Sequence, residues 1–187
     1  RLWLKIHCVM ANSAIMLNDS DFEIFGLPCQ FELDSAALSA SYLRLQSQTH
    51  PDRFANASSQ EKRLAVQWAT RINEAYKRLQ NPMERAIYWC ELNGENPRGQ
   101  QSNLPPALLT QQMDWREQLE EIESAHELED LIDLVAAEKK RCLRVIADQI
   151  DQDKDAKAAC NTAQALLFID KFMFQLNKKL EQMEDAS

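Results

Sequence analysis

The chain has 187 residues, of which only three are glycine and six are proline. This length suits one large domain or two small ones, and the scarcity of turn residues beside plentiful Ala, Leu, Glu, Gln and Lys predicts an all-α protein. The formal net charge is −8, and residues 105–187 carry ten Lys/Arg against eighteen Asp/Glu, so no basic stripe suited to nucleic acid is present.

The first 16 residues carry Arg1 and Lys5 but no acidic residue, and their apolar stretch is short and interrupted. We expect residues 1–16 to be an N-terminal extension, disordered or foreign to the native chain, and not a targeting peptide. No run of about 18 apolar residues follows, so the sequence predicts no membrane span.

A helical hairpin is predicted next. A short helix over Phe22–Phe25 ends at a glycine and proline, and Asp34 caps a helix over about 35–48. A loop then runs to Ser58, which begins a capping box for a long helix ending near Gln80. The apolar faces that would pair the two long helices are Leu38, Tyr42 and Leu45 on the first and Leu64, Trp68, Ile72, Ala75 and Leu79 on the second.

Another helix is predicted to begin at Asn81-Pro82 and to end at Asn93-Gly94. Residues 94–106 are polar and rich in proline, which indicates a linker. We therefore expect a first domain over 17–93 and a second over 107–187.

The second domain is predicted to be an antiparallel three-helix bundle, with helices over about 106–123, 125–150 and 155–184. The core stripe of its first helix is expected to contain Leu108, Trp115, Leu119 and Ile122. The seam of its last helix is expected to contain Leu166, Ile169, Met173, Leu176, Leu180 and Met183.

The five cysteines lie far apart, without the close pairs that bind zinc or an iron-sulfur cluster. Cys90, Cys142 and Cys160 occupy helical positions where a small buried residue is expected, so we interpret them as reduced structural thiols. We find no carboxylate pair near a histidine and no phosphate-binding glycine loop, and we predict no enzyme activity, cofactor or metal.

Three segments together resemble the J-domain family: Asp21–Leu27 (DFEIFGL), His50-Pro51-Asp52 at the hairpin turn, and Ile72–Tyr76 (INEAY). Asn81–Ala86 (NPMERA) and Trp115–Glu123 (WREQLEEIE) extend the resemblance to the HscB co-chaperones of iron-sulfur cluster assembly, over about residues 20–184. The resemblance implies a cytoplasmic, bacterial-type protein that brings the scaffold protein IscU to a DnaK/HscA-class chaperone and stimulates ATP hydrolysis there.

The resemblance implies that His50, Pro51 and Asp52 contact the chaperone, and that Arg44 on the preceding helix adds a charged contact. Proline fixes the backbone and an aspartate accepts hydrogen bonds from a partner arginine, which fits this role. The alternative is that His50 and Asp52 only cap helix ends.

The scaffold-binding patch implied by the resemblance consists of Leu109, Met113, Asp114, Glu117 and Phe168. The first four lie on the bundle's first helix, away from its core stripe, and Phe168 lies off the seam of the last helix. The alternative is a wider core stripe that takes in these apolar residues.

The sequence departs from the family pattern at Thr49, Arg53 and Thr110, and the 35–48 helix contains few basic residues. General J domains use such residues to reach their chaperone, so a specialised partner is expected. A J-domain co-chaperone of a different pathway, with another client or a self-associating bundle, remains the alternative function.

Overall fold

The computed structural model describes residues 16–99 and 106–185, and every regular element in these ranges is helical, which confirms the all-α prediction. The predicted extension lies outside the described residues except for Met16. The helices are α1 (Asp21–Phe25), α2 (Ser35–Thr49), α3 (Ser59–Gln80), α4 (Pro82–Leu92), α5 (Pro106–Glu121), α6 (Ala125–Asp148) and α7 (Ala156–Asp185), with a 3-10 turn at Pro51–Phe54 and a π-helical turn at Gln149–Asp153.

The predicted hairpin is formed by α2 and α3. The Tyr42 hydroxyl donates to Oδ1 of Asn73 at 3.0 Å, and the Tyr42 ring stacks on Tyr76 with centroids 4.0 Å apart. These contacts join the middle of α2 to the C-terminal half of α3. The buried core between the helices contains Leu38, Leu45, Trp68, Ile72, Ala75 and Leu79.

A buried carboxylate joins α1 to α3. The Asp21 side chain is fully buried and lies 2.6 Å from Nη1 of Arg71 and 2.8 Å from Nη1 of Arg78. A buried charge needs such partners because it has lost its water. The short helix is therefore fixed across the base of the hairpin by two ion pairs as well as by the buried Phe22 and Phe25.

The predicted limits of α4 are confirmed. Oδ1 of Asn81 accepts from the backbone N–H of Met83 at 2.9 Å. Gly94 has φ +84°, and the Glu95 N–H donates to the Cys90 carbonyl at 3.0 Å, which is the pattern of a left-handed C-terminal cap. The predicted capping box of Ser58 with Glu61 is also formed, and Ser124 forms a further one with Glu127.

The chain divides into two compact units between Arg85 and Ala86. The predicted linker begins eight residues later, and its first part is not a free connection, because Pro97 is buried there. The division into domains over 17–93 and 107–187 remains a prediction.

In the second unit α6 and α7 pair along their length, and α5 packs on them chiefly through Trp115, its one buried residue among those described. Leu108, Leu119 and Ile122, predicted for the same stripe, are half-buried. Lys179 of α7 donates to the Leu119 carbonyl at 2.7 Å and so satisfies the end of α5.

One detail of the predicted bundle is wrong. Phe172, and not Met173, occupies the buried seam of α7, because the large ring at 172 stacks on Trp115 with centroids 5.8 Å apart. The helix predicted over about 125–150 is observed: it is α-helical to Asp148 and continues as a π-helical turn over Gln149–Asp153, which is followed by Lys154 with a φ of +55°.

Candidate functional site

The hairpin turn is shaped by the residues on either side of Pro51. Thr49 ends α2 and is buried, with its hydroxyl donating to the Leu45 carbonyl at 3.0 Å. His50 is extended, with φ −58° and ψ 128°, as expected of a residue before proline. Pro51 then begins the 3-10 turn, so the chain turns sharply away from α2.

His50 and Asp52 are bound to each other at this turn. The backbone N–H of Asp52 donates to Nδ1 of His50 at 3.3 Å, and the Asp52 carboxylate lies 3.5 Å from the same nitrogen. The Asp52 side chain is 91% exposed and that of His50 55%. His50 thus caps the turn, as the alternative interpretation expected, while both side chains stay open to a partner.

Arg53 holds the turn to the end of α2 through hydrogen bonds, a role that the sequence pattern did not predict. Its backbone N–H donates to the His50 carbonyl at 3.0 Å, and its guanidinium donates to the Ser47 carbonyl at 3.1 Å. The last carbonyls of a helix lack partners within the helix, so a basic side chain nearby is stabilising. The signal available in the sequence was a basic residue, Arg53, shortly after the end of α2.

Arg44 is exposed on α2, and its guanidinium forms no ion pair with any residue in the described ranges. It is the one Lys or Arg within α2. The neighbouring Leu43 is 62% exposed. The structure thus places a single cation and an apolar side chain on the outer surface of α2, without joining Arg44 to His50 or Asp52.

The outer face of α5 carries four of the five predicted patch residues. Leu109 is 46% exposed and Met113 is 62% exposed. Asp114 and Glu117 are also exposed. We call Leu109, Met113, Asp114 and Glu117 the α5 face. An exposed leucine and methionine one turn apart, flanked by two carboxylates, form an apolar strip with an acidic border.

Phe168 lies at the edge of the core beside α5. Its ring is half-buried and nearly parallel to those of Trp115 and Phe172, with centroids 6.3 Å and 5.9 Å away. The Arg116 guanidinium carbon lies 5.9 Å from the centroid of the Phe168 ring, within cation–π range. The Phe168 ring is therefore packed partly in the core and partly exposed. It fits neither the exposed patch nor the wider core stripe completely.

Burial makes the thiols of Cys90 and Cys142 weakly acidic. Burial raises the pKa of the Cys90 thiol to about 12 and that of the Cys142 thiol to about 11. Thiols of this kind stay protonated near neutral pH and are poor nucleophiles and metal ligands. Across residues 16–99 and 106–185 no group of three His, Cys, Asp or Glu side chains is arranged to hold a metal ion. Nor does any helix there have the length and apolarity to span a membrane.

A family model described as the HSCB C-terminal oligomerisation domain matches residues 104–177. The co-chaperone protein HscB homolog of Burkholderia multivorans is 40% identical over 174 residues, which cover 91% of this chain and 99% of that protein. The chain belongs to the HscB co-chaperone family. The resemblance found in the sequence is thereby confirmed.

Solved HscB structures share the fold. The HscB chaperone of Vibrio cholerae is 35% identical, with a TM-score of 0.73 over 88% of this chain and 99% of that one. Human co-chaperone protein HscB is 26% identical, with a TM-score of 0.80 over 87% and 82% of the two chains. These two proteins are named as a chaperone and a co-chaperone.

Proposed function

We propose that this HscB protein stimulates ATP hydrolysis by a DnaK/HscA-class chaperone through His50, Pro51 and Asp52, with Arg44 adding a charged contact. We further propose that it delivers an IscU-type scaffold to that chaperone in the bacterial cytoplasm, aiding maturation of iron-sulfur proteins. The observation that carries the proposal is the exposed Asp52 carboxylate, held beside His50 on a braced turn at the tip of the hairpin.

The turn is suited to recognition of a cationic partner. An exposed carboxylate can accept two hydrogen bonds from one arginine, which gives both affinity and direction. Because Arg53 and His50 already hold the backbone of the turn, little conformational entropy is lost when the partner binds. A flexible loop with the same residues would lose more conformational entropy on binding.

The α5 face is suited to a protein client. Exposed apolar side chains at the centre of a patch supply most of the binding free energy, and a polar border supplies specificity. Leu109 and Met113 are the apolar anchors here, and Phe168 adds an aromatic edge. We assign these residues, with Asp114 and Glu117, to the scaffold, and the domains over 17–93 and 107–187 to chaperone and scaffold binding.

Self-association of the second domain is a second candidate function. The matching family model is described as an oligomerisation domain, and Phe174 of α7 is 72% exposed. Sedimentation equilibrium of the chain and of Phe174→Ser would test it. A dimer that dissociates in the variant supports this function, and a monomer at tens of micromolar in both excludes it.

Steady-state ATP hydrolysis tests the proposed function. HscA and, separately, DnaK would be assayed with and without the chain and with and without IscU. Synergistic stimulation of HscA by the chain and IscU together supports the assignment. Stimulation of DnaK alone, indifferent to IscU, would place the protein in another pathway. No stimulation of either chaperone would contradict the proposal.

A further inference from the structure

A groove of about 700 Å³ lies between α5, α6 and α7 in the second unit. Val145 of α6 and Ala165 of α7 contribute apolar surface to it. Thr110 and Asp114 of α5 and Arg141 of α6 also line it, and all three are exposed. The groove therefore combines an apolar surface with an open polar rim.

The rim has one carboxylate without a counterion. Glu138 is neutralised by Arg141, whose Nε lies 2.8 Å from Oε2 and whose Nη2 lies 2.5 Å from Oε1. Within the described residues no cation pairs with Asp114. A partner group placed at Asp114 is therefore favoured when it is positively charged.

The groove is continuous with the α5 face. Thr110 and Asp114 each directly follow an exposed anchor of that face, Leu109 and Met113. A protein seated on those anchors therefore has the groove beside it. Small-molecule sites of about 300–1,000 Å³ usually bury 70–90% of their ligand, which an open rim does not allow. A segment of the bound protein suits such a groove better than a free small molecule does.

We propose that this groove extends the contact of the α5 face beyond Asp114, which the two share, and that it takes a short segment of the scaffold in which a lysine or arginine adjoins an apolar residue. The proposal rests on the proposed scaffold binding. The cationic head pairs with Asp114, and its aliphatic stem and the apolar neighbour lie on Val145 and Ala165.

A groove-filling variant tests the proposal. Ala107 is exposed at the groove's edge, so Ala107→Trp occupies the groove without altering the core. Ala136→Trp is the matched control, because Ala136 is exposed on α6 and does not line the groove. Titration calorimetry with IscU should show about tenfold weaker binding for Ala107→Trp and wild-type affinity for the control.

The reference variant Leu109→Ala/Met113→Ala tests the proposed scaffold-binding α5 face separately from the groove. If it weakens IscU binding while Ala107→Trp does not, the groove inference is overturned and the proposed scaffold face stands. If it leaves IscU affinity unchanged, the proposed scaffold face itself fails.

Photocrosslinking identifies the occupant. p-Benzoylphenylalanine at Asn161, which lines the groove, should crosslink to IscU, whereas the same group at Ala136 should not. Mass spectrometry of the crosslinked peptide should find a lysine or arginine next to an apolar residue. A crosslinked segment without a basic residue, or no crosslink above the control, would overturn the proposed occupant.

Discussion

The backbone N–H of Asp52 donates a hydrogen bond to Nδ1 of His50 at 3.3 Å. Nδ1 is therefore the acceptor of this hydrogen bond. The two outer residues of the motif fix each other's position while 91% of the Asp52 side chain stays exposed. Capping and partner contact are compatible at His50, so substitutions must distinguish them.

His50→Gln should strongly weaken chaperone stimulation and leave the fold intact. The amide oxygen of glutamine can still accept a hydrogen bond, and losing an N-cap altogether costs only about 1 kcal/mol. A central contact residue is worth about 2 kcal/mol or more, so ATPase stimulation at subsaturating concentration should fall about thirtyfold. ATPase assays and urea unfolding measure the two effects. Asn56→Ala, in the same exposed loop, should behave as wild type.

Stimulation that survives in His50→Gln would return His50 to a purely structural role. A variant that loses both stimulation and several kcal/mol of unfolding free energy would do the same, since a capping residue alone would then explain the result.

Leu109→Ala/Met113→Ala should weaken scaffold capture without destabilising the bundle. Both side chains are about half exposed or more, so their truncation removes little buried area. Trp115→Ala is the contrasting variant: its side chain is 3% exposed, and truncating a buried aromatic costs about 3–5 kcal/mol. Calorimetry with IscU and urea unfolding separate the two outcomes. A large loss of stability in the double variant would favour the wider core stripe.

The sequence predicted the hairpin, the helix limits and the exposure of Leu109 and Met113, because caps and apolar periodicity are local signals. It could not choose between Phe172 and Met173, which both continue an apolar spacing of three or four residues. That choice depends on where Trp115 of another helix packs. The contact of the Arg53 guanidinium with the Ser47 carbonyl of α2 likewise depends on tertiary placement.

Asp21→Asn should destabilise the first unit strongly. The carboxylate is fully buried between Arg71 and Arg78, and removing one member of a buried ion-pair group leaves the others uncompensated, at a cost of about 3–5 kcal/mol. Urea unfolding of the full chain should show a lower midpoint for the transition that reports on the first unit. Glu74→Gln, an exposed neutralisation on α3, is the control and should change the midpoint little. Equal effects of the two variants would mean that the ion pairs contribute nothing.

The Cys142 thiol should make stability fall at alkaline pH. Burial raises its pKa from 9.0 to about 11, with the negative charge of Glu138 adding to the effect. Between these values the unfolded chain loses the thiol proton and the folded chain keeps it, so the unfolded state binds fewer protons and the unfolding free energy decreases as pH rises. The slope for one thiol is at most about 1.4 kcal/mol per pH unit.

Cys142→Ala removes this titration, so the difference in unfolding free energy between wild type and variant should shrink from pH 9 to pH 11. The same difference should stay constant from pH 7 to pH 8, where the thiol is protonated in both states, which provides an internal control. Urea unfolding at each pH measures it. A difference that does not vary with pH across the alkaline window would show that the Cys142 pKa is the same in the folded and unfolded chains.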